Sequence, residues 1–301
     1  MEDRIIYQNS IAASEMRFAY PMQKIQDWLT QQWVIIWGQK INPAEFSWLI
    51  GPFGNLDAID ENFITEFAAK EKLRVAQDAK TGGLIPSINS LNLSEIERSS
   101  LPSQVIDFYE NTARYDLHFS VKWNPLFKIF GVLISRLFSR RLRQLNIPTS
   151  NSKNFHPLKS ELLSLAEPDS DKVKYTFWLR SIKSSGQPVY SGVYGITTIP
   201  SGKTCIKAVF PLPNGNATVL MTPCVGKNGE LILESSGKKF GDAGFYFLLK
   251  DSKGEYWAQY IRSFRDRLIL RSANGILSAE QVLTLWRKEV LRFNYKIEQK
   301  Q

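Results

Sequence analysis

The C-terminal half of the chain is a succession of short strand-like segments separated by turn signals. Four of the breaks are Asn214-Gly215, Asn228-Gly229, Lys253-Gly254 and Asn274-Gly275. Asn-Gly between two extended segments is the strongest short hairpin signal, and strands joined by tight hairpins are antiparallel neighbours. The pattern therefore predicts an antiparallel meander, and a sheet of about nine such strands tends to curl or close.

The predicted strands alternate apolar and polar side chains, most clearly in the last one. There Leu291, Phe293, Tyr295 and Ile297 share one face. The predicted strands lie near 174–182, 189–199, 204–210, 217–224, 230–234, 244–250, 256–262, 267–271 and 289–297. Ser278-Ala-Glu-Gln281 fits a capping box and predicts a short helix before the last strand.

The N-terminal third has a mixed pattern. Its predicted elements are a helix around 21–32, a short strand over Trp33–Trp37, an amphipathic helix over 60–73 and a linker or long loop near 78–102. We therefore expect two parts: residues 1–100 as a mixed α/β cap segment, and residues 101–301 as a helix with the antiparallel meander.

Between these parts the chain runs from residue 117 to residue 160 without a carboxylate. The eight cations of this stretch nearly account for the net charge of +9: Lys122, Lys128, Arg136, Arg140, Arg141, Arg143, Lys153 and Lys159. Residues 125–146 read as one amphipathic helix with Asn124 as its N-cap and Pro125 as its first residue. The basic stretch favours an anionic partner.

Arg140 and Arg141 fall at the edges of the apolar face of this helix at ideal helical spacing. Either the helix ends near Ser139, or these arginines contact an anionic group. That group is a carboxylate of the protein, or it is a phosphate or carboxylate head group at the mouth of a cavity. Under the last interpretation Arg136, Arg140 and Arg141 are the ligand-binding residues.

These patterns predict an α+β protein in which a curved antiparallel β-sheet or partly closed β-barrel packs on the long amphipathic helix, with the N-terminal segment as a cap. We expect it to bind a hydrophobic or amphipathic anionic ligand, lipid-like in character, between the sheet and the basic helix. The alternatives are peripheral association with an anionic membrane through that helix, or a cofactor-independent cavity enzyme of cyclase, isomerase or hydrolase type.

Candidates for catalysis are sparse, so the sequence favours a binding protein over an enzyme. His118, Asp116 and Glu110 could supply a general acid or base. On a strand over 115–121, however, Asp116 and His118 share a face with Ser120, which reads more simply as a solvated polar face. Basic and aromatic residues together can bind single-stranded nucleic acid, but their helical spacing fits a core face better.

Sequence signals for a metal site, a cofactor site or a phosphate-binding loop are weak. Cys205 and Cys224 fall in predicted strands and form neither a disulfide framework nor a zinc site, and the chain has two histidines, so we expect no metal and no cofactor. Ser201-Gly-Lys-Thr204 resembles the end of a phosphate-binding loop, but Thr197 replaces the required glycine and a strand follows, so we interpret it as a turn.

We expect no membrane-spanning helix, because no apolar run reaches about 18 residues. The first thirty residues hold Glu2, Asp3, Glu15 and Asp27 and do not read as a signal peptide. The expected location is the cytoplasm, with the membrane periphery as an alternative.

Four segments carry a resemblance: Leu101–Glu110, Leu137–Pro148, Phe210–Thr218 and Ser235–Gly241. Together they resemble an uncharacterised group of bacterial proteins of similar length, over roughly residues 100–297. That group implies no activity. In layout, but not in motif, the chain is distantly similar to the START and lipocalin kinds of lipid-binding domain, and this implies a fold and no function.

Overall fold

The computed structural model describes residues 25–54, 61–76, 82–127, 147–148, 151, 154–170, 172–189 and 191–300. The helices are α1 (Ile25–Trp37), α2 (Glu61–Glu71), α3 (Glu95–Ser100), α4 (Ser103–Glu110) and two 3-10 turns, Ile88–Leu91 and Thr112–Arg114. The strands are β1 (Gln39–Ile41), β2 (Arg74–Ala76), β3 (Tyr115–Trp123), β4 (His156–Ala166), β5 (Val173–Ile182), β6 (Gly192–Thr198), β7 (Thr204–Leu212), β8 (Gly215–Val225), β9 (Leu231–Glu234), β10 (Gly244–Lys250), β11 (Tyr256–Tyr260), β12 (Phe264–Ala273), β13 (Ile276–Leu285) and β14 (Lys288–Gln299).

Ten of these strands form a closed antiparallel ring in the order β8-β7-β6-β5-β4-β3-β14-β13-β12-β9 and back to β8. Strand β8 makes closure possible because two strands, β10 and β9, pair with successive parts of the same edge. Residues 215–220 pair with β10, and residues 222–225 pair with β9. The ring confirms the predicted curved or partly closed antiparallel sheet, and it has two strands more than the eight of a lipocalin.

One end of the ring is covered by residues 82–110, which we call the cap from here on. They overlap the predicted N-terminal cap segment, residues 1–100, only over 82–100. The side chains of Val105, Phe108 and Tyr109 on α4 are buried in the same apolar cluster as the inward side chains of the ring. The carbonyl oxygen of Tyr109 accepts hydrogen bonds from the amides of Leu84 and Ile85. The cap is therefore held on the ring by packing, and the hydrogen bonds to the Tyr109 carbonyl join the two ends of the cap to each other.

The outside of the ring is also covered. Residues 42–54, which we call the strap, lie over β7, β8 and β10. Lys207 on β7 donates from Nζ to the carbonyl oxygens of Trp48, at 2.9 Å, and Ile50. Helix α2 packs over β4 to β7, where Phe177 is among the most deeply buried side chains. Several strands are therefore apolar on both faces.

Two local predictions were wrong. The run Trp33–Trp37 is the end of helix α1 and not a strand. Gln31 and Val34, three residues apart, lie against β8 and β10, and this helical contact overrides the β propensity of the apolar run. The run Ser278–Gln281 lies in β13, because that segment pairs with β12 on one side and β14 on the other, which outweighs a local capping signal.

Other expectations are corrected in detail. Strand β4 was not among the predicted strands. The predicted linker at 78–102 contains a 3-10 turn and α3, whose Ser94 and Glu97 form a capping box. Strands β1 and β2 of the N-terminal part join the same sheet through β11 and β4. The boundary between two parts near residue 100 stays a prediction.

The predicted basic helix is described only at its start. Residues 125–127 are helical, and the amide of Leu126 donates to the Asn124 side chain at 3.0 Å, as expected of an N-cap. Residues 128–146 lie outside the described part, so the packing of this helix on the sheet stays a prediction. Among the helices that the structure describes, none is long and apolar enough to cross a bilayer.

Candidate functional site

The interior of the ring holds a cavity of about 70 Å³ beneath the cap. Most of its wall is apolar, from Leu117, Ile206, Val219 and Leu270 among others. Polar and amphipathic side chains also reach it, among them Arg180, Tyr194, Asp266, Gln281 and Tyr295. Polar groups that converge inside an apolar cavity are the usual marks of a binding site.

Arg180 is the most unusual of these groups, because its side chain is 5% exposed in the wall of the ring. Strand β5 points Trp178 and Arg180 to the same side, and the guanidinium carbon lies 3.8 Å from the centre of the Trp178 ring. Nη2 donates to the Tyr194 hydroxyl at 3.1 Å. Stacking and this hydrogen bond together fix the guanidinium against the cavity wall.

The hydroxyls of Tyr194 and Tyr295 are close to both charged groups of the site. Burial raises the pKa of Tyr295 to about 12, while Arg180 lowers that pKa through charge and a hydrogen bond and Asp266 raises it. The pKa of Tyr194 is raised by burial, and it responds to Arg180 and Asp266 in the same directions. Both phenols are therefore neutral and can donate hydrogen bonds.

Asp266 on β12 is the buried acid of the cavity, with 3% of its surface exposed. Burial raises the pKa of its carboxyl to about 7, although the hydrogen bonds from Gln281 oppose this. The Gln281 amide donates to both carboxyl oxygens, at 3.0 and 2.8 Å. The main chain is anchored as well, because the Asp266 amide donates to Ser235 Oγ at 2.6 Å. Near neutral pH this carboxyl can gain or lose a proton.

The size of the cavity limits what can enter it. A volume of about 70 Å³ accommodates a few water molecules, and it is well below the ~300 Å³ of typical ligand pockets. The cap contributes Leu84, Phe108 and Tyr109 to the wall. A ligand with a long chain would have to displace these side chains.

The ligand-binding residues predicted from the sequence, Arg136, Arg140 and Arg141, lie outside the residues that the structure describes. Their role stays a prediction. The positive charge that the described part places inside the ring is carried by Arg180.

The three acid–base candidates are found at separate places. Asp116 and His118 alternate with the inward residue Leu117 on β3, and each faces a surface charge: Lys183 Nζ is 3.2 Å from Asp116, and Glu298 is 3.7 Å from His118. Glu110 accepts a hydrogen bond from the Ile88 amide at 2.6 Å. They do not line the cavity, and their catalytic role stays a prediction.

The two cysteines and the 201–204 motif do not line the cavity. Cys205 is buried in β7 and Cys224 is exposed in β8, and both are free thiols. Residues 200–202 form the predicted turn, with the Gly202 amide bonded to the Ile199 carbonyl at 2.9 Å. Across the described ranges, no three side chains of His, Cys, Asp or Glu are grouped closely enough to hold a metal ion.

The interior polar residues were not predicted from the sequence to form a site. Arg180 lies on a strand that was predicted, but the inward face of that strand could not be recognised. The apolar face that holds Tyr295 was recognised, but its phenol was not predicted to be part of a site. Helix α2 covers the outside of β5, so Phe177 on the outside is as buried as Trp178 on the inside. The sequence signal that could have identified the interior charged residues is an arginine or aspartate at a strand position where the alternation of side chains calls for an apolar residue.

Comparisons with known proteins give one distant relative. The chain is 22% identical over 216 residues to the uncharacterized membrane protein YndJ of Bacillus subtilis (strain 168), and the alignment covers 68% of this chain and 38% of that protein. The chain thus matches well under half of the length of its relative. No family model matches, and the search of solved structures gives no significant match. The relative agrees with the resemblance to an uncharacterised bacterial group.

Proposed function

We propose that the interior of the ring binds a small amphipathic anion, with its carboxylate or phosphate head on Arg180 and its apolar part against the aliphatic wall. The observation that carries this proposal is the position of Arg180, a buried guanidinium that lines the cavity. A guanidinium has five N–H donors and stays charged at all ordinary pH values. The tyrosine hydroxyls of the wall supply further donors.

The charges of the site support an anion over a cation. Below the pKa of Asp266, about 7, that carboxyl is neutral and the cluster carries one positive charge. Above this pKa a second, negative charge lies inside the ring and repels an anionic head group. We therefore expect binding to be tighter at pH 6 than at pH 8.

The cavity volume supports a ligand with few carbon atoms. The finer expectation from the sequence, a lipid-like ligand held between the sheet and the basic helix, requires the cap to open and involves Arg136, Arg140 and Arg141. It stays a second form of the same proposal. A series of straight-chain carboxylates of increasing length separates the two forms, because affinity falls with length if the cap stays closed.

Native mass spectrometry of the gently purified protein tests the proposal. We expect a bound small acid on the wild type, and its loss from Arg180→Met. The matched control is Arg267→Met, because Arg267 lies on the outside of β12 in an exposed ion pair with Glu234. Equal occupancy in the wild type and Arg180→Met would contradict the proposal.

A cavity enzyme is the second candidate, and the pKa of Asp266 favours it. A carboxyl that titrates near neutral pH is suited to act as a general acid or base, and here it lies in a cavity lined by three phenols and a guanidinium. If the site is catalytic, Asp266→Asn abolishes turnover while binding of the substrate is kept. Asp266 then has the role that the sequence analysis gave to His118, Asp116 and Glu110.

Peripheral association with an anionic membrane is favoured by a different observation, the name of the Bacillus relative as a membrane protein. In this chain the eight cations of residues 117–160 would supply the contact. Each Lys or Arg near an anionic surface contributes about 1 kcal/mol. Binding to vesicles that requires anionic lipid and disappears in salt tests this candidate.

A further inference from the structure

The turn between β13 and β14 has a sequence that does not suit its backbone. It is a two-residue hairpin turn, because Leu285 pairs with Lys288, and its central residues are Trp286 and Arg287. Both have positive φ angles, 50° and 65°. This backbone favours Asn-Gly, and a bulky side chain is strained there.

The neighbouring hairpin shows what the fold itself would select. Ala273 pairs with Ile276, and the turn between them is Asn274-Gly275, with φ angles of 52° and 76°. The two turns have the same length and the same backbone region. The Trp-Arg pair is therefore not explained by hairpin formation, and strain of this kind is often retained at functional positions.

Trp286 is exposed to 69%, at the tip of the hairpin. Arg287 and Lys288 beside it are exposed, and so is Arg262, whose neighbour Ser263 accepts the Trp286 amide at 2.9 Å. The carboxylate that follows, Glu289, is bound by Arg292 at 2.6 Å. The tip thus combines an indole ring with cations.

A second apolar surface lies at the same end of the ring. On α1, Leu29, Trp33, Ile36 and Trp37 are exposed, and their spacing of four, three and one residues puts them on one helix face. Ring contacts connect this face to the hairpin: Trp33 to Phe247 at 5.8 Å, Phe247 to Phe245 at 5.1 Å and Phe245 to Phe264 at 4.8 Å. Phe264 directly follows Ser263, which holds Trp286.

The cation-rich segment begins beside this surface. Asn124 donates from its side chain to the Glu289 carbonyl at 2.8 Å and from its amide to the Val290 carbonyl at 3.0 Å. Asn124 is therefore anchored to β14 two to three residues after the turn, and Lys122, the first of the eight cations in the sequence, lies exposed on β3 two residues before Asn124.

From these observations we infer that the surface formed by Leu29, Trp33, Ile36 and Trp37 together with the Trp286-Arg287-Lys288 tip docks on an anionic lipid bilayer. Tryptophan has an apolar body and a polar N–H, which suits the boundary between lipid and water, and the adjacent cations match an anionic head-group layer. This inference rests on the membrane-association candidate and is independent of the interior site.

The test is sedimentation of the full chain with phosphatidylcholine vesicles that contain or lack phosphatidylglycerol. The key variant is Trp286→Asn with Arg287→Gly, which installs the sequence the turn prefers and so keeps the fold. We expect its partition to vesicles with phosphatidylglycerol to fall about tenfold, from the loss of one cation and one indole. Trp37→Gln is a second variant on α1 and is expected to weaken binding as well.

The matched control is Ile276→Ser, which removes an exposed apolar side chain beside the Asn274-Gly275 turn. It is expected to leave partition unchanged. A fall of the same size in this control would overturn the inference in favour of non-specific hydrophobic adsorption. Self-association of the chain that the tip variant abolishes, without any vesicle binding, would overturn it in favour of an interface between copies.

A further pair of variants distinguishes this inference from the membrane-association candidate on which it rests. If the tip variants bind vesicles as the wild type does while Arg140→Glu with Arg141→Glu abolishes binding, the basic segment is the contact and the inference fails, although membrane association survives. If the wild type binds no vesicles, both fail.

Discussion

Arg180 donates from Nη2 to the hydroxyl of Tyr194 at 3.1 Å inside the ring. The two residues come from paired strands, and both also contact Trp178, Arg180 at 3.8 Å from the ring centre and Tyr194 with a centroid distance of 5.3 Å. The indole therefore holds both groups, and the hydroxyl fixes the direction of the guanidinium. Removing the hydroxyl should affect orientation and leave the charge in place.

Tyr194→Phe tests this relationship. The variant keeps the aromatic contact with Trp178 and loses the hydrogen bond, so we expect a free energy of unfolding lower by about 1 kcal/mol. Its affinity for a small carboxylate should fall less than that of Arg180→Met, because the charge remains. Urea unfolding and calorimetric titration measure the two effects, and an affinity loss equal to that of Arg180→Met would show that the hydroxyl binds the ligand directly.

Asp266→Asn should change how stability depends on pH. The folded pKa of Asp266 is about 7, above the ordinary value of about 3.9. Between these values the folded state binds more protons than the unfolded state, so this group lowers the free energy of unfolding as pH rises from 4 to 7. Relative to the wild type, the variant should gain roughly 2–4 kcal/mol between pH 4 and pH 7.

Urea unfolding of both proteins at pH 4, 5.5 and 7 checks this prediction. The remaining acids titrate in both proteins and cancel in the difference. A difference that does not change with pH would mean that Asp266 is ionised throughout, and the charge argument for an anionic ligand would lose its basis.

Lys207 should produce the opposite slope at higher pH. Burial lowers the pKa of its amino group to about 7, below the ordinary value of about 10.4. Between these values the unfolded state binds more protons, so this group raises the free energy of unfolding as pH rises from 7 to 10. Lys207→Met lacks this contribution. In urea unfolding, the free energy of unfolding of the wild type minus that of the variant should therefore increase from pH 7 to pH 9.5. A constant difference would refute the buried position of the amine under the strap.

The Trp286–Arg287 turn should be a site where function opposes stability. Trp286→Asn with Arg287→Gly relieves two strained residues, so we expect the free energy of unfolding to increase by about 1–2 kcal/mol. The reciprocal change, Asn274→Trp with Gly275→Arg, should lower it by a similar amount. Thermal unfolding measures both, and a loss of stability in the first variant would assign Trp286 a packing role.

Much of the ring was predictable from the sequence because turns and alternation act locally. Strand β10 was predicted with the bounds that the structure has, 244–250, and the Asn-Gly breaks at 214 and 274 are both tight turns between neighbouring strands. Residues 33–37 and 278–281 were mispredicted because contacts with neighbouring strands, and not their local sequence, determine their structure. Val34 packs on β8 and β10, and Ser278 pairs with strands on both sides.

The candidate site was not predictable for a related reason. In β5 the outward Phe177 is covered by α2 and the inward Trp178 faces the cavity, so both faces are apolar and alternation does not distinguish them. Arg180, Asp266 and Tyr295 are separated by at least 29 residues along the chain, and only ring closure brings them together. The clustering of charge along the sequence instead led to the prediction of a site in the basic segment, residues 117–160.

Calorimetric titration of propanoate, a carboxylate short enough for the closed cavity, into the protein at pH 6 tests the central claim most directly. The account predicts binding by the wild type, unchanged affinity in Arg267→Met, and a dissociation constant about 10- to 100-fold higher in Arg180→Met, since a hydrogen bond to a charged group contributes about 1.5–3 kcal/mol. Affinity of the wild type should also decrease at pH 8. The same affinity in Arg180→Met and the wild type would contradict the claim that Arg180 binds the anion inside the ring.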